Sequence, residues 1–258
     1  MLQTVDGVRL PDFYRGGGPS NITTATRDAP EFGFLKRVEA LRGPASSLYG
    51  SDAIGGAVAY ATMDPDDLMR GKPVAGEVGL QWNGIDNGFG QTAGMAGGND
   101  AIQGLFMYAH RNAHEMKSMG SDDSISVSRT APSPQQAETN AYLGKIVLNA
   151  TQRQRFELTY EHPDGTTATD MRRLSASLPR VTSAKGSQDS ERDRVSLDYE
   201  WRLGRGAVDR LTASAYYQKS RTRTSTRQVR SGTSNRCSGT RTGSSRCDVA
   251  LEFGFGQQ

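Results

Sequence analysis

The sequence predicts a mainly β chain in two parts: a small α+β segment over residues 1–64, then antiparallel strands of the transmembrane β-barrel type over residues 65–258. Three observations carry this prediction. Segment after segment alternates apolar and polar residues with a period of two. The links between those segments alternate between tight and long. Only 35% of the residues are hydrophobic while 30 of 258 are glycine, so a thick water-excluding core is hard to assemble. Strands that face two different environments need only every second residue apolar. Partial disorder is the other state open to so polar a chain.

Taken in order, the first part shows short β-like runs with glycine punctuation, at Val5 to Leu10 and Leu35 to Leu41, separated by Gly16, Gly17 and Gly18. Pro44 then suits the first turn of a short helix, and Gly50 suits its C-terminal exit. Gly55 and Gly56 lead into a strand of small residues from Ala57 to Thr62, and the segment ends near Asp64 and Pro65.

From about residue 74 amphipathic strands take over. In the run from Arg194 to Leu203, Val195, Leu197, Tyr199, Trp201 and Leu203 share one face. Arg194, Ser196, Asp198, Glu200 and Arg202 share the other. Phe156, Leu158 and Tyr160 oppose Arg155, Glu157, Thr159 and Glu161. Val78, Leu80 and Trp82 oppose Glu77, Gly79 and Gln81, and Leu211, Ala213, Ala215 and Tyr217 oppose Thr212, Ser214 and Gln218. Tyr142, Ile146 and Leu148 follow the same habit more loosely. Tight links fall at Gly97 to Asp100, Ala150 to Arg153 and Gly204 to Gly206. Between them lie about 26 polar residues from Asn112, about 29 from His162 and about 25 from Thr222, the stringing expected of short turns at one rim of a barrel and long loops at the other.

A soluble antiparallel sandwich also gives period-two strands. The aromatic residues favour the membrane barrel: Trp82, Tyr108, Tyr142, Tyr160, Tyr199, Trp201 and Tyr217 recur on the apolar face, mostly near strand ends, where an interfacial girdle would place them. A helical membrane protein is excluded, because no run approaches the roughly eighteen consecutive apolar residues that a spanning helix needs. Met1 to Thr4 lack the basic and apolar regions of a secretory signal, and Leu251 to Gln258 stop inside an apolar alternation. The expectation is a chain whose beginning and end are missing.

The stretch from Leu35 to Val58 contains Arg37, Glu39, Arg42-Gly43-Pro44, Tyr49-Gly50, Asp52 and Gly55-Gly56, and in this it closely resembles the plug core of TonB-dependent outer-membrane receptors. Thr62 to Leu68 and Val5 to Asp12 resemble the haem and haemoglobin receptor branch. The resemblance to the plug covers about a quarter of the chain. It implies an outer-membrane barrel of about 22 strands occluded by an N-terminal plug. It also implies uptake powered by a periplasmic energy-coupling protein, TonB, that pulls on the plug. Residues 1–64 then correspond to the C-terminal part of the plug, and residues 65–258 to about eight early barrel strands. Charged plug residues Arg37, Glu39, Arg42 and Asp52 are expected to face lumen residues such as Arg194, Asp198, Glu200 and Arg202 through individually weak ion pairs; ordinary solvated charge is the alternative.

Other candidate sites carry less. His110 and His114 stand four apart, a ligand spacing on a helix, but here they straddle a strand end and a loop. With His162, which sits beside Pro163-Asp164-Gly165, they read as polar loop histidines before they read as ligands. Cys237 and Cys247 lie in a polar stretch and are read as a disulfide across the loop, with a pair of free surface thiols as the alternative, and no histidine stands beside them to make a zinc site. Eight basic residues and no acidic ones lie between Lys219 and Arg246. Such a run is a solvated loop or, on an outer-membrane protein, a surface for lipopolysaccharide phosphates or an anionic ligand such as a haem propionate; nucleic acid is not the expected partner.

No nucleophile elbow, Walker lysine or paired helical histidines are present, so the chain is not expected to be an enzyme or to hold a cofactor, haem entering only as cargo. The leading functional expectation is energy-coupled import of an iron source, haem or a haem protein. The alternatives are uptake of a siderophore or other nutrient, a surface β-domain that does not transport, and a gene fragment without independent function.

Overall fold

The computed structural model describes residues 2–11, 30–43, 55–178, 180–203, 208–231 and 236–255. Two sheets organise them. The N-terminal sheet contains β1 (Leu2–Val5), β2 (Val8–Arg9), β3 (Leu35–Leu41) and β4 (Ala57–Thr62), in the order β2-β1-β4-β3. A two-residue turn joins β1 to β2; both Asp6 and Gly7 have positive φ, which matches the twist of the flanking strands. β1 runs parallel to β4, and β3 antiparallel to it. Before β4 the chain must pass close to its neighbour: Gly56 has φ +105°, and a Cβ there would stand 2.5 Å from the Leu41 carbonyl oxygen. Only glycine fits.

A 3-10 turn at Phe32–Phe34 enters β3, and α1 (Pro65–Met69) leaves β4. Pro65 stands where a first helical turn needs no donor, and the Asp67 carboxylate accepts from the Asp64 backbone N–H at 2.8 Å. These two short elements plant Phe34, Leu68 and Met69 against Ala96, Leu105, Met107, Ala109, Ala141 and Leu143 of the second sheet, making the main apolar cluster. β6 (Gly88–Gly98) permits the approach by carrying small residues inward. A Cβ on Gly94 would meet the Met107 side chain at 3.2 Å, and one on Gly33 would meet Thr92 Oγ1 at 2.6 Å.

The second sheet is a meander of eight antiparallel strands, each paired with the next: β5 (Val74–Asn83), β6 (Gly88–Gly98), β7 (Ile102–His114), β8 (Gln135–Thr151), β9 (Gln154–Asp170), β10 (Val181–Arg202), β11 (Val208–Arg230) and β12 (Arg236–Phe255). α2 (Arg172–Ser177) caps the β9–β10 link. The fold is therefore a small α+β unit seated against part of an antiparallel barrel wall. Among the described residues no helix is long and apolar enough to cross a membrane, which says nothing of strands.

Two faces differ in chemistry. The concave face, toward the N-terminal sheet, buries Lys145, Glu161, Arg192, Arg194, Gln188 and Gln218 along with the apolar cluster. The convex face exposes Val78, Leu80, Trp82, Phe106, Ile146, Leu158, Val195 and Leu197. Polar residues inside and bare apolar residues outside invert a soluble sandwich and match a barrel wall whose outside is lipid. Tyr108, Tyr142, Tyr160 and Tyr217 occupy one level of that outer face near the long-loop rim. Phe156 and Tyr199, with ring centroids 4.6 Å apart, lie near the tight-turn rim.

The tight turns between β6 and β7 and between β8 and β9 stand where alternation put them, and the third expected link, Gly204 to Gly206, lies outside the described residues. The long links do not keep their expected lengths. The segment between β7 and β8 narrows to residues 115–134, while β9 to β12 continue as paired strands far past the apolar band. His162, residues 222–230 and residues 236–246 thus lie on strands rather than in loops, while residues 232–235 lie outside the described residues. In β10 to β12 the reason is local: Ser, Thr and Arg alternate there and each strand finds a neighbour of matching length, while in β9 the pairing with β8 and β10 on either side carries the ladder through Pro163 and Gly165.

Candidate functional site

The charged residues that alternation sent to the concave face meet the N-terminal sheet in two clusters. In the first, the Arg194 guanidinium of β10 donates to the Val5 carbonyl oxygen at 2.7 Å and to Asp6 Oδ2 at 3.0 Å. Its Nε lies 2.9 Å from Glu161 Oε2 as an ion pair, and Glu161 Oε1 accepts a hydrogen bond from Arg192 at 2.7 Å. Asp6 is prepared for this at the tip of the β1–β2 turn, where its carboxylate also accepts from the Thr62 backbone N–H and hydroxyl at 2.9 and 2.8 Å. One turn residue therefore ties β1, β4 and the barrel wall together.

The second cluster surrounds the start of α1. Lys145 Nζ of β8, almost fully buried, lies 2.8 Å from Asp64 Oδ1 and 3.0 Å from Glu157 Oε1. Lys36 of β3 pairs with the other Asp64 oxygen. Arg155 holds Glu157 at 2.7 Å. Two neutral ties reinforce these clusters, from Gln103 Nε2 to Asp66 at 2.7 Å and from Gln218 Nε2 to the Arg9 carbonyl oxygen at 3.2 Å.

Burial alone would raise the carboxyl pKa of Asp6, but Lys145, Arg194 and the hydrogen bonds from Thr62 and Arg194 outweigh it and hold the group below the ordinary aspartate range. At Asp64 burial again works upward, and Lys145 and Lys36 together pull it below that range. Both carboxylates are thus ionised at neutral pH and fully engaged. This arrangement can clamp a small domain inside a polar wall and let it go when the ion pairs are broken.

Of the residues expected to carry the N-terminal part, Arg37 and Glu39 pair with each other at 3.1 Å on the exposed edge strand β3 and do not face the barrel wall. Arg42 is exposed, Gly43 has φ +99°, and Gly55 and Gly56 form the entry to β4. Pro44, Tyr49, Gly50 and Asp52, with the expected short helix, and Gly16 to Gly18 lie outside the described residues. The wall residues were half foreseen: Arg194 reaches the N-terminal sheet, whereas Arg202 pairs with Glu200 at 2.7 Å at the tight-turn rim. Missed were Asp6, Asp64, Lys36 and Lys145. The Asp6-Gly7 turn pair was the available signal, since a turn tip is where a charge can be presented outward.

The histidine reading is corrected. His110 and His114 both lie on β7, and His162 on β9, all on the convex side with Tyr108, Tyr142 and Tyr160. His110 Nδ1 lies 2.8 Å from Asn140 Oδ1, and His162 Nδ1 lies 2.8 Å from Asp193 Oδ1. They belong to the interfacial belt and are not placed to hold cargo within the lumen. The disulfide expectation is also corrected. Cys237 and Cys247 sit ten positions apart on the single strand β12, about 33 Å at the ~3.3 Å rise of a strand. A bridge needs Cα atoms within about 7 Å. Among the described residues no group of three or more His, Cys, Asp or Glu could hold a metal ion.

Residues 1–57 match the TonB-dependent receptor plug domain. With an antiparallel barrel wall packed against that segment, the chain is similar to the TonB-dependent receptors in both its parts. Haemoglobin-binding protein A of Haemophilus influenzae is 26% identical over 251 residues, 93% of this chain and 24% of that protein. The hemin receptor of Yersinia pestis is 33% identical over 113 residues, 43% of this chain and 16% of the receptor. Among solved structures, the FrpB iron transporter from Neisseria meningitidis superposes with a TM-score of 0.67 at 18% identity, over 89% of this chain and 37% of that one. The siderophore receptor PiuA from Acinetobacter baumannii gives 0.55 at 12% identity, over 96% of this chain and 47% of that one. The chain thus spans about a quarter or less of the length of these two curated relatives. The structural likenesses speak for the fold alone.

Proposed function

We propose that this chain is part of an energy-coupled outer-membrane receptor that imports an iron source, haem or a haem protein. The observation that carries the reading is the double ionic clamp at Asp6 and Asp64. A plug held by a few buried charge pairs in a polar lumen is seated firmly at rest yet releasable by force, because parting them lets water solvate both partners and the loss is reversible. Transport would consist of binding and plug displacement, without covalent chemistry. The periplasmic partner that pulls would be TonB, and the receptor's resting place the bacterial outer membrane, which the apolar convex face and its aromatic belt support. Relatives described as binding haemoglobin or hemin support haem as cargo.

Growth of a strain whose only receptor is expressed from the intact gene, with haem as the sole iron source, tests this. Growth on haem that disappears when Arg194 and Lys145 are both replaced by glutamate supports the reading. Growth on a ferric siderophore but not on haem overturns the haem assignment and supports the second reading, siderophore uptake, which rests on the fold shared with PiuA.

A further inference from the structure

The link between β7 and β8 begins with side chains that the plug clamp does not use. His114 ends β7 at the long-loop rim, and Met116 and Met119 follow it in the loop. All three are exposed, Met116 at 69% and Met119 without any cover at 103%. Single exposed methionines are ordinary surface. Two of them and a histidine between positions 114 and 119 make one local set of donors.

Backbone contacts fix where these donors stand. The His114 N–H donates to the Asp86 carbonyl oxygen and the Lys117 N–H to the Ile85 carbonyl oxygen, both at 2.8 Å. The acceptors are adjacent while the donors are three positions apart, so residues 115 and 116 bow out between two anchored points. Glu115 is engaged elsewhere, its Oε2 accepting from the Gln135 backbone N–H at 2.9 Å. Met116 is left to solvent. Ser118 Oγ accepts from the Gly120 N–H at 3.2 Å, which places Met119 at the tip of a turn. Gly120 then passes so near the returning chain that a Cβ there would lie 2.1 Å from the Thr130 carbonyl oxygen. Buried Arg129 closes the loop on itself by donating to the Ser124 and Pro132 carbonyl oxygens at 3.1 and 2.7 Å. Cα atoms two residues apart lie within about 7 Å and three apart within about 11 Å, and the bow and the turn shorten both spans.

The donor chemistry selects the ligand. Thioether sulfur is soft and favours monovalent copper, imidazole suits copper and zinc alike, and carboxylate and carbonyl oxygens suit calcium and magnesium. Two sulfurs and one imidazole without a carboxylate therefore match a soft monovalent ion. The local field admits a cation, since over residues 114–128 Glu115, Asp122 and Asp123 stand against Lys117 alone. We propose that His114, Met116 and Met119 form a rim site for monovalent copper or its analogue, monovalent silver. The site lies away from the plug clamp and does not depend on the iron-import reading.

The test uses receptor expressed from the intact gene, purified in detergent, with its thiols alkylated so that cysteine holds no metal. Each protein is loaded with Ag(I), passed through gel filtration and its retained silver counted. Wild type is compared with Met116→Leu/Met119→Leu, which keeps the apolar volume and removes both sulfurs, with His114→Gln, and with Met95→Leu, an exposed methionine on the outer face of β6. Wild type and Met95→Leu are expected to retain about one silver ion more than the double leucine variant, His114→Gln to fall with that variant, and an excess of Zn(II) to leave the wild-type count unchanged. Equal silver in wild type and the double leucine variant overturns the proposal. Displacement of the silver by Zn(II) overturns it as well, because it would mark a site without thioether ligands. Heat-modifiable migration checks that each variant is folded; should the double variant migrate abnormally, Met116→Leu and Met119→Leu made singly decide by the same count.

Discussion

Arg194 is the residue on which the seating of the plug depends most, because it closes three contacts at once: the Val5 carbonyl, Asp6 and Glu161. Its replacement by alanine leaves two buried carboxylates facing each other's field with less positive charge between them. Removing one partner of a buried pair costs about 3–5 kcal/mol, so Arg194→Ala is expected to release the plug at markedly lower denaturant in the full receptor, read as protease cleavage within residues 2–62. Arg194→Lys, which keeps the charge and loses the fork, should fall between. Unchanged protease resistance in the alanine variant would remove Arg194 from the clamp. The pH dependence has a definite sign. Asp6 and Asp64 have pKa values below the ordinary aspartate value of 3.8, so their contribution is fully present above that value and is lost as pH falls through the lower folded values. Plug retention should therefore be flat from neutral pH to about 5 and weaken below about 4, and Asp64→Asn should shallow the acid limb. Half of this was legible in the residues. The strict alternation around Arg194 declared that its side chain faces something wet, but no local pattern pairs it with Asp6, which lies 188 positions away. Long-range pairing is written in the closure of the fold and not in any window of sequence.

Individual elements show where period-two reading succeeds and where it stops. β10 was legible because every second residue from Val195 to Trp201 is apolar, and the tight turns were legible because glycine and polar residues cluster in them. β6 was not, since Gly88, Gly90, Gly94, Gly97 and Gly98 give no alternation to count. Gly94 is inward space for α1 rather than punctuation, which only the packing of Met107 and Leu68 reveals. The outer halves of β9 to β12 were hidden for the opposite reason: Ser, Thr and Arg read as loop, yet they form strands once a neighbour of equal length offers its ladder. That error decided the cysteines. With both on β12, a tryptic map of the exported receptor alkylated without reductant should show Cys237 and Cys247 each modified; a peptide linking the two would show that the upper β12 does not hold its extended form. Gly56 offers a sharper check on the plug. With φ +105° and the Leu41 carbonyl 2.5 Å from any Cβ, Gly56→Ala should destabilise the β3–β4 pairing by about 1–3 kcal/mol, seen as earlier exchange of the β4 amides, while Gly7→Ala, with open space around it, should cost less.

For the whole molecule, fold class was readable because two independent signals agreed: a plug-like stretch near the N-terminus, and strands whose polar face had to point somewhere wet. What neither signal contained is which way the wall curves around the plug, since that follows from small residues on β6 and charges on β8 to β10 meeting a sheet formed from residues 2–62. The same organisation governs the chain expressed as these 258 residues alone. Its eight-stranded sheet has β5 at one edge and β12 at the other, without lateral partners among the described residues. The convex face exposes Val74, Val78, Leu80 and Trp82 on the β5 edge itself. An open edge bordered by a bare apolar face is a template for pairing with another copy. In aqueous buffer the chain should therefore elute from gel filtration as aggregate, and detergent micelles should restore a β-rich circular dichroism spectrum by covering the convex face. A soluble monomer in plain buffer, with Trp82 fluorescence characteristic of a buried indole, would mean that the apolar face folds inward as a sandwich core, and the membrane reading of the wall would fall with it.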